Sequence, residues 1–467
     1  MNLPCEFTAR MSDLLPDYQS FLASYTDAPL AGLRANTLKI SPLELKPLLA
    51  DLSGPIDWCP DGFYYDVNFR PGKSPYYHAG LYYIQEPSAM SPAAVMDILP
   101  GHRVLDLCAA PGGKSTQLAA KLNGTGILFS NDVSITRARA LLKNIELSGA
   151  ANCVITGESP GRLAARFAGY FDRILVDAPC SGEGMFRRDP DARKAWTTRK
   201  PAMCTTLQRE SLYFAASMLK PGGRLMYSTC TFAPEENELM IDAFLSAHKD
   251  FIGVAIPHTE YGMEPGLRGE KYTARIWPHH QKGEGHFMAY LQKQENCDET
   301  EGCHGVNHFH SRHGNVGREG IYLSAGVLSP GGEYTDFCKK YLNFTPTPTS
   351  RHGNSLYLEP PGLPDLSGLR VLRTGLYLGD ILTKRFEPSQ AFAMSLGSEH
   401  VQSCINFAID DQDLYRYLKG ESFELSGLGK SPSDGWNLAA LKGFPLGWAK
   451  VTDRRLKNQY PKGWLMN

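Results

Sequence analysis

Two cysteines in short motifs, 50 positions apart, are the residues best suited to chemistry. Cys180 follows the apolar run FDRILVDAPC, which also contains Asp177, and Cys230 follows a second apolar run, GGRLMYSTC. Carbon 5 of a pyrimidine is a poor nucleophile, but a thiolate that adds to carbon 6 makes carbon 5 reactive toward a methyl donor. Two thiols and an acid beside a cofactor loop therefore predict methylation of carbon through a covalent intermediate.

The residue types alone leave the division of roles between the two thiols open. The reaction needs a nucleophilic thiolate, an acid that hydrogen-bonds to the ring, and a group that assists release of the product. Cys230, Cys180 and Asp177 supply these types, and Lys114 is a candidate cation for lowering the pKa of a thiol. A cysteine in an apolar strand is more often an inert packing residue. We interpret Cys153 in that way, and also the thiol of Cys108.

A cofactor loop is predicted by VLDLCAAPGGKST, which is typical of a strand, a turn of small residues and a helix. Small side chains let a ligand approach the backbone, and the helix N-terminus offers free amides. A triphosphate-binding loop is excluded because it needs glycine at position 108. Asp132 ends the next predicted strand and suits a ribose diol, so a nicotinamide or an S-adenosylmethionine nucleoside would fit. The alternative is that the loop binds no cofactor: it is then an ordinary tight turn, and Asp132 caps a helix.

Alternating strand and helix patterns between residues 101 and 293 predict an α/β fold with a doubly wound, mostly parallel sheet. The strand candidates are RVLDLC, GILFSND, CVIT, FDRILVD, RLMYST and HFMAYLQ. The helix candidates are STQLAAKL, ITRARALLKNIELSG and LQRESLYFAASML. Ligands bind such sheets at the carboxyl ends of the strands. The motifs described above all lie at that edge.

The length of 467 residues predicts several domains. Residues 1–100 are expected to form a small α+β domain that supports the core or binds RNA. Residues 101–293 form the core, 294–315 a polar linker, 316–365 a small mixed domain, and 366–467 a further domain.

Composition predicts a cytoplasmic protein with reduced thiols. The net charge is −1, there are 11 cysteines, and no segment approaches the roughly 18 apolar residues of a membrane span. The start, MNLPCEFTARM, is not expected to be a secretory signal. The linker contains metal-ligand types in a spacing that matches no compact finger, so no metal is predicted there. These residues are Cys297, Cys303, His304, His308, His310 and His313.

The motifs DLCAAPGGKST, DAPCSGEG and STCTFAPEENE, with LRANTLK (33–39) and IQEPSAM (84–90), resemble the RNA cytosine-5 methyltransferase family. The resemblance implies a Rossmann-like methyltransferase core that uses S-adenosylmethionine. It implies that Cys230 is the nucleophile, that Cys180 assists product release, and that Asp177 contacts the cytosine and borders the cofactor. The implied catalytic residues are thus Cys230, Cys180, Asp177 and Lys114.

The same resemblance implies a cofactor site. Its members are Cys108, Ala109, Ala110, Pro111, Gly112, Gly113, Lys114, Asp132 and Asp177. In TGESPGRL, Glu158 or Ser159 occupies the position where the family usually has an acid and a glycine that contact the adenine.

The C-terminal run at 372–396 is similar to the PUA-type RNA-binding module of the RsmF-type subgroup of bacterial 16S ribosomal RNA methyltransferases. This similarity implies that RNA contacts Arg373, Lys384, Arg385 and the basic tail, whose cations are Lys442, Lys450, Arg454, Arg455, Lys457 and Lys462. On charge alone, a solvated basic face is an equal alternative.

The expected activity is methylation of a cytosine at carbon 5 in 16S ribosomal RNA of the small subunit, by a protein that is a monomer with no membrane partner. The nearer alternative is the same chemistry on transfer RNA. The alternative from another class is a catalytically silent RNA-binding or ribosome-assembly factor.

Overall fold

The computed structural model of the chain describes residues 2–66, 68–295, 330–425 and 432–466. The cysteines and histidines of the predicted linker, from Cys297 to His313, lie outside the described residues. Within the described ranges, no helix is long and apolar enough to cross a membrane.

The N-terminal part contains short helices and a four-stranded antiparallel sheet of order β2-β3-β1-β4. The helices are α1 (Cys5–Leu14), α2 (Tyr18–Ser24), α3 (Pro42–Leu45), α4 (Pro75–His78) and α5 (Ser91–Val95). The strands are β1 (Gly32–Ala35), β2 (Leu52–Ile56), β3 (Cys59–Tyr65) and β4 (Tyr82–Ile84). A capping box between Ser41 and Glu44 starts α3. This part therefore has the mixed α+β character that its sequence pattern predicts.

The central part contains all six predicted strands and all three predicted helices. Its strands are β5 (Arg103–Asp106), β6 (Ile127–Asn131), β7 (Cys153–Thr156), β8 (Phe171–Asp177), β9 (Leu219–Thr229), β10 (Phe251–Gly253), β11 (Glu264–Pro265), β12 (Thr273–Ile276) and β13 (His286–Lys293). Its helices are α6 (Gly113–Leu122), α7 (Ile135–Ser148), α8 (Pro160–Ala164), α9 (Pro190–Lys194), α10 (Lys200–Met218), α11 (Glu238–Ala247) and α12 (His258–Tyr261).

These nine strands, together with the strand Val371–Thr374 from the C-terminal part, form a ten-stranded sheet whose parallel centre has the order β9-β8-β5-β6-β7. Strands β10 to β13 extend it antiparallel beyond β9. Apolar side chains fill both faces because successive residues of a strand point to opposite sides. Leu105 and Ile174 pack on one face, whereas Val104 and Leu175 pack on the other. The predicted Rossmann-like fold is confirmed.

The C-terminal part contains two further sheets, of order β14-β15-β17-β18 and β19-β21-β22-β23-β20. Its helices are α13 (Gly332–Tyr341), α14 (Gln390–Met394) and α15 (Gln412–Leu418). Its strands are β14 (Ser350–His352), β15 (Ser355–Leu358), β16 (Val371–Thr374), β17 (Leu376–Leu382), β18 (Arg385–Pro388), β19 (Cys404–Phe407), β20 (Phe423–Glu424), β21 (Gly435–Leu441), β22 (Phe444–Thr452) and β23 (Arg455–Asn458).

Strand β16 does not join either C-terminal sheet but adds antiparallel to β7, at the edge of the core sheet. Arg373 on this strand is 9% exposed, and its guanidinium forms an ion pair with Glu146 of α7. The expectation that Arg373 contacts RNA is therefore wrong, because its charge is used inside the protein. The predicted division at residue 366 falls between β15 and β17, which pair in one sheet.

Candidate active site

The predicted site residues meet at one edge of the core sheet. The parallel strands β5 to β9 run in the same direction, so their carboxyl ends lie side by side. The residues that follow or end these strands are Cys108, Asp132, Glu158, Asp177, Cys180 and Cys230. The structure thus brings together the thiols, the acids and the small-residue loop.

The sulfur atoms of Cys180 and Cys230 are 3.3 Å apart. Each cysteine lies just beyond its strand, β8 or β9, and each is partly buried. The hydrogen bond to Cys230, together with burial, raises the pKa of the Cys180 thiol well above its usual value. Cys180 therefore holds its proton at neutral pH and can stand beside a reacting group as an acid.

A buried carboxylate fixes the loop that contains Cys180. Glu236 accepts a hydrogen bond from the backbone N–H of Ser181 at 2.9 Å and another from the Ser181 hydroxyl. Gln208 donates to Glu236 at 2.8 Å and to the Pro179 carbonyl at 2.9 Å. Glu236 stands in the motif STCTFAPEENE, but its role depends on contacts 55 positions away and was not predicted.

Gly184 holds the two thiol loops together. Its N–H donates to the carbonyl of Cys230 at 2.8 Å. A Cβ at this position would lie 2.9 Å from the Gly285 carbonyl and 3.0 Å from that of Cys230. The approach of the loops therefore requires a residue without a side chain.

Asp177 is tied to a cation and a hydroxyl. Lys114 Nζ lies 2.7 Å from Asp177 Oδ2, and the Ser228 hydroxyl donates to Oδ1 at 2.7 Å. Burial alone would raise the pKa of Asp177, but the charge of Lys114 and the nearby His286 imidazole hold it well below its usual range. Asp177 is therefore ionised at neutral pH, and Lys114 lies next to this acid.

His286 is a site residue that the sequence analysis missed. Its Nε2 lies 3.7 Å from Asp177 Oδ1, and its side chain is 2% exposed. Burial lowers the pKa of this imidazole, and neither ring nitrogen has a hydrogen-bond partner among the described residues. A polar residue at the start of the apolar strand HFMAYLQ was the available signal.

Three side chains hold the small-residue loop in place. Arg137 donates to the carbonyl of Ala110 at 2.7 Å, and Asn144 donates to that of Pro111 at 2.8 Å. Arg34, from the N-terminal part, donates to the Gly113 carbonyl at 2.7 Å. Gly112 has a φ of 115°, which favours glycine, and α6 begins directly after it.

Three carboxylates surround this loop and fit the predicted cofactor. Asp132 is 3% exposed, and the fully buried Asp106 has an Oδ1 atom without a hydrogen-bond partner among the described residues. Burial and the nearby Asp177 raise the pKa of Asp106 to about 7. S-adenosylmethionine presents a sulfonium cation, an ammonium group and ribose hydroxyls. An acidic donor set with an unpartnered oxygen suits these groups.

At the position where an adenine contact is expected, the Glu158 side chain is already bonded within the protein. Glu158 is 6% exposed, and its carboxylate accepts from the Arg370 N–H at 2.5 Å and pairs with Arg162 at 3.1 Å. The side chain of Glu158 thus secures the segment that leads into β16. Ser159, beside it, is exposed. An adenine contact by Glu158 or Ser159 stays a prediction.

A Rossmann-like sheet with an acidic cofactor loop, paired thiols and an ionised acid at one edge defines the class of S-adenosylmethionine-dependent methyltransferases. Comparisons with known proteins support this class. Residues 93–292 match the family model of the 16S rRNA methyltransferase RsmB/F. Residues 3–87 match the N-terminal domain of 16S rRNA methyltransferase RsmF, 336–396 its first C-terminal domain, and 404–466 its PUA domain. The assignment of the run at 372–396 to the PUA-type module is therefore wrong, because that run lies in the first C-terminal domain.

Relatives match over nearly the whole chain. A ribosomal RNA small subunit methyltransferase F from Shewanella amazonensis is 31% identical, over 94% of this chain and 92% of its own. One from Escherichia coli is 29% identical, over 98% and 96%. A methyltransferase homologue from Pyrococcus horikoshii, solved as a crystal structure, is 31% identical with a TM-score of 0.54, over 62% of this chain and 94% of its own. The chain therefore belongs to the RsmF family of S-adenosylmethionine-dependent ribosomal RNA methyltransferases.

Proposed function

We propose that this protein transfers a methyl group from S-adenosylmethionine to carbon 5 of a cytosine in 16S ribosomal RNA, through a covalent adduct with Cys230. The observation that supports this proposal most strongly is the 3.3 Å separation of the Cys180 and Cys230 sulfurs beside the ionised Asp177. A reaction that uses one thiol to attack and one to assist release needs both sulfurs within reach of one pyrimidine ring.

The two thiols take different roles in the proposed reaction. The Cys230 thiolate adds to carbon 6, and the electron pair of the ring double bond moves to carbon 5, which takes the methyl group. Solvent water then takes the carbon 5 proton, and the electron pair left behind restores the double bond and expels the Cys230 thiolate. Cys180 keeps its own proton and assists this release by a hydrogen bond to the departing sulfur. Asp177 is ionised, so it accepts a hydrogen bond from the exocyclic amino group of the cytosine.

The loop from Cys108 to Lys114 would hold the cofactor. When bound, S-adenosylmethionine would supply an electrophilic methyl group on a sulfonium. Asp132 would accept hydrogen bonds from the ribose hydroxyls, Asp177 would border the methyl donor, and Lys114 holds Asp177 in place. Glu158 and Ser159 would lie on the adenine side of the site.

The RNA contacts the exposed basic hairpin formed by β22 and β23. Arg454, Arg455 and Lys457 are exposed on it. Lys450 stands directly opposite Lys457 across the hairpin, but its ammonium lies over the Trp436 ring and 3.8 Å from Glu387, so the three exposed cations are the better candidates for phosphate contacts. Lys384 and Arg385, also exposed, add to this surface. Such contacts position the RNA, while the target cytosine leaves its stack to reach Cys230.

The proposed substrate is 16S ribosomal RNA of the small subunit. We propose that the protein acts on it as a monomer in the cytoplasm. The purified protein is incubated with S-adenosylmethionine and with 16S ribosomal RNA, small subunits or transfer RNA, and methylated cytosines are located by bisulfite sequencing. We expect a new 5-methylcytosine in 16S ribosomal RNA or the small subunit. Methylation of transfer RNA alone, or of none of the three, would overturn the proposal.

A further inference from the structure

A cluster of histidine and carboxylate side chains lies outside the active site, between the N-terminal helices and the core. His280 Nε2 is 2.6 Å from Asp17 Oδ2, and His279 Nε2 is 3.1 Å from the same oxygen. One ligand atom from each of these residues lies within 4.8 Å of the others. Two imidazole nitrogens and a carboxylate oxygen thus converge on one point.

His279 is not satisfied by its protein neighbours. Its side chain is 2% exposed, yet neither ring nitrogen makes a well-directed hydrogen bond to any described residue. A buried imidazole whose nitrogens both lack a well-directed hydrogen bond, with Nε2 facing a carboxylate oxygen at 3.1 Å, has room for a further ligand in the cluster.

A second carboxylate orients His280. Glu264 Oε1 lies 2.6 Å from His280 Nδ1, on the side of the ring opposite Asp17. Histidines that bind metals almost always donate their other ring N–H to a carboxylate or carbonyl, which fixes the tautomer and directs the second nitrogen to the ion. His280 has this arrangement.

The geometry needs little adjustment to hold an ion. Bonds of about 2.0–2.1 Å to a tetrahedral ion require ligand atoms about 3.3 Å apart, so the two short separations to Asp17 must widen by less than about 1 Å. Asp17 is 38% exposed and makes no side-chain cap bond to α2, so its carboxylate is held by the histidines and not by the helix.

We propose that Asp17, His279 and His280 form a site for a divalent transition-metal ion of the zinc class, with Glu264 as the orienting partner. Mixed nitrogen and oxygen ligands select such ions over calcium or magnesium. The ion joins the start of α2 to the turn that follows Trp277. Trp277 stacks on Phe232, two residues after Cys230, so the ion also stiffens one wall of the active site.

The test compares the metal-free full-length protein with two variants. D17N/H280Q removes two ligands that are each more than one-third exposed, so the fold should survive. H308A/H310A replaces two histidines outside the proposed site and serves as the matched control. Bound zinc is measured by equilibrium dialysis and mass spectrometry, and thermal unfolding is followed with and without ZnCl₂.

The wild type and H308A/H310A should each gain a rise in Tm of a few degrees with zinc, because an ion that binds only the folded state stabilises it. D17N/H280Q should bind one zinc fewer than the wild type and should lose this rise in Tm. Equal zinc stoichiometry in the wild type and D17N/H280Q, or an equal rise in Tm, would overturn the proposal.

Discussion

At the scale of single residues, the site brings two thiols together, with their sulfurs 3.3 Å apart. Burial and the bond to Cys230 raise the pKa of the Cys180 thiol and so favour its protonated form. The sequence motifs were sufficient to predict Cys180, Cys230, Asp177 and Lys114 as a group. They did not predict His286 or Glu236, because the roles of these residues depend on contacts between strands that are distant in sequence.

Replacing Cys230 with alanine should abolish methyl transfer while S-adenosylmethionine binding survives. Removal of a nucleophile from a cooperating set costs at least about 10³-fold in rate, and the cofactor loop does not depend on this sulfur. Activity is measured with tritiated methyl donor and binding by calorimetry. Cys404→Ala, in β19, is the control and should keep full activity. Near-normal methylation by Cys230→Ala would refute the assignment.

Replacing Lys114 with methionine should move the acid limb of the pH profile of kcat/KM to higher pH. The charge of Lys114 holds the pKa of Asp177 down against burial, so its loss raises that pKa and protonates the acid as pH falls. Ser228→Ala removes one hydrogen bond and should shift the limb less. An acid limb at the wild-type pH in Lys114→Met would show that Asp177 does not control it.

At the scale of elements, the parallel strand ends explain why distant motifs meet. The strands that form the site are buried apolar runs with a clear pattern, so their existence and their positions along the chain were predictable. Strand β16 was not predictable, because three of its four residues pair with β7 across more than 200 positions and give no local signal. For the same reason the charge of Arg373 was misinterpreted: a sequence reports a cation but not whether it is buried.

Replacing Arg373 with methionine should lower the stability of the protein without changing its affinity for RNA. Glu146 would be left without its cation in a mostly buried place, at a cost of about 2 kcal/mol once partial exposure is allowed for. Chemical unfolding and filter binding measure the two effects. Arg385→Met should weaken RNA binding without lowering the stability of the protein. Weaker RNA binding by Arg373→Met at full stability would restore the original expectation.

At the scale of the whole molecule, the N-terminal, central and C-terminal parts share packed cores. Leu33 and Phe63 of the first sheet belong to one apolar cluster with Leu147 of α7, Ile405 of β19 and Leu441 of β21. Leu366 and Val371 belong to the core of the central sheet. We propose that the C-terminal part consists of two domains with a boundary near residue 400. A truncation there would remove Ile405 and Leu441 and expose the apolar side chains that pack against them. RNA binding is therefore better tested by surface substitutions.

The triple variant R454A/R455A/K457A should bind RNA more weakly and with less dependence on salt. Each lost phosphate contact lowers the slope of log K against log salt by about 0.7 to 1, so the slope should fall by about 2 to 3. Binding of S-adenosylmethionine is the control and should not change. If the slope of log K against log salt does not change, the RNA does not bind the hairpin formed by β22 and β23.

The central claim is that one cytosine is held covalently by Cys230 while Cys180 assists its release. The direct measurement is denaturing electrophoresis of the Cys180→Ala variant after incubation with 16S ribosomal RNA and S-adenosylmethionine, followed by mass spectrometry of the linked peptide. The account predicts a stable protein–RNA band with methylated cytosine attached at Cys230, and no band from the Cys180→Ala/Cys230→Ala double variant. A Cys180→Ala protein that gives no band, or a linkage at another residue, would contradict it.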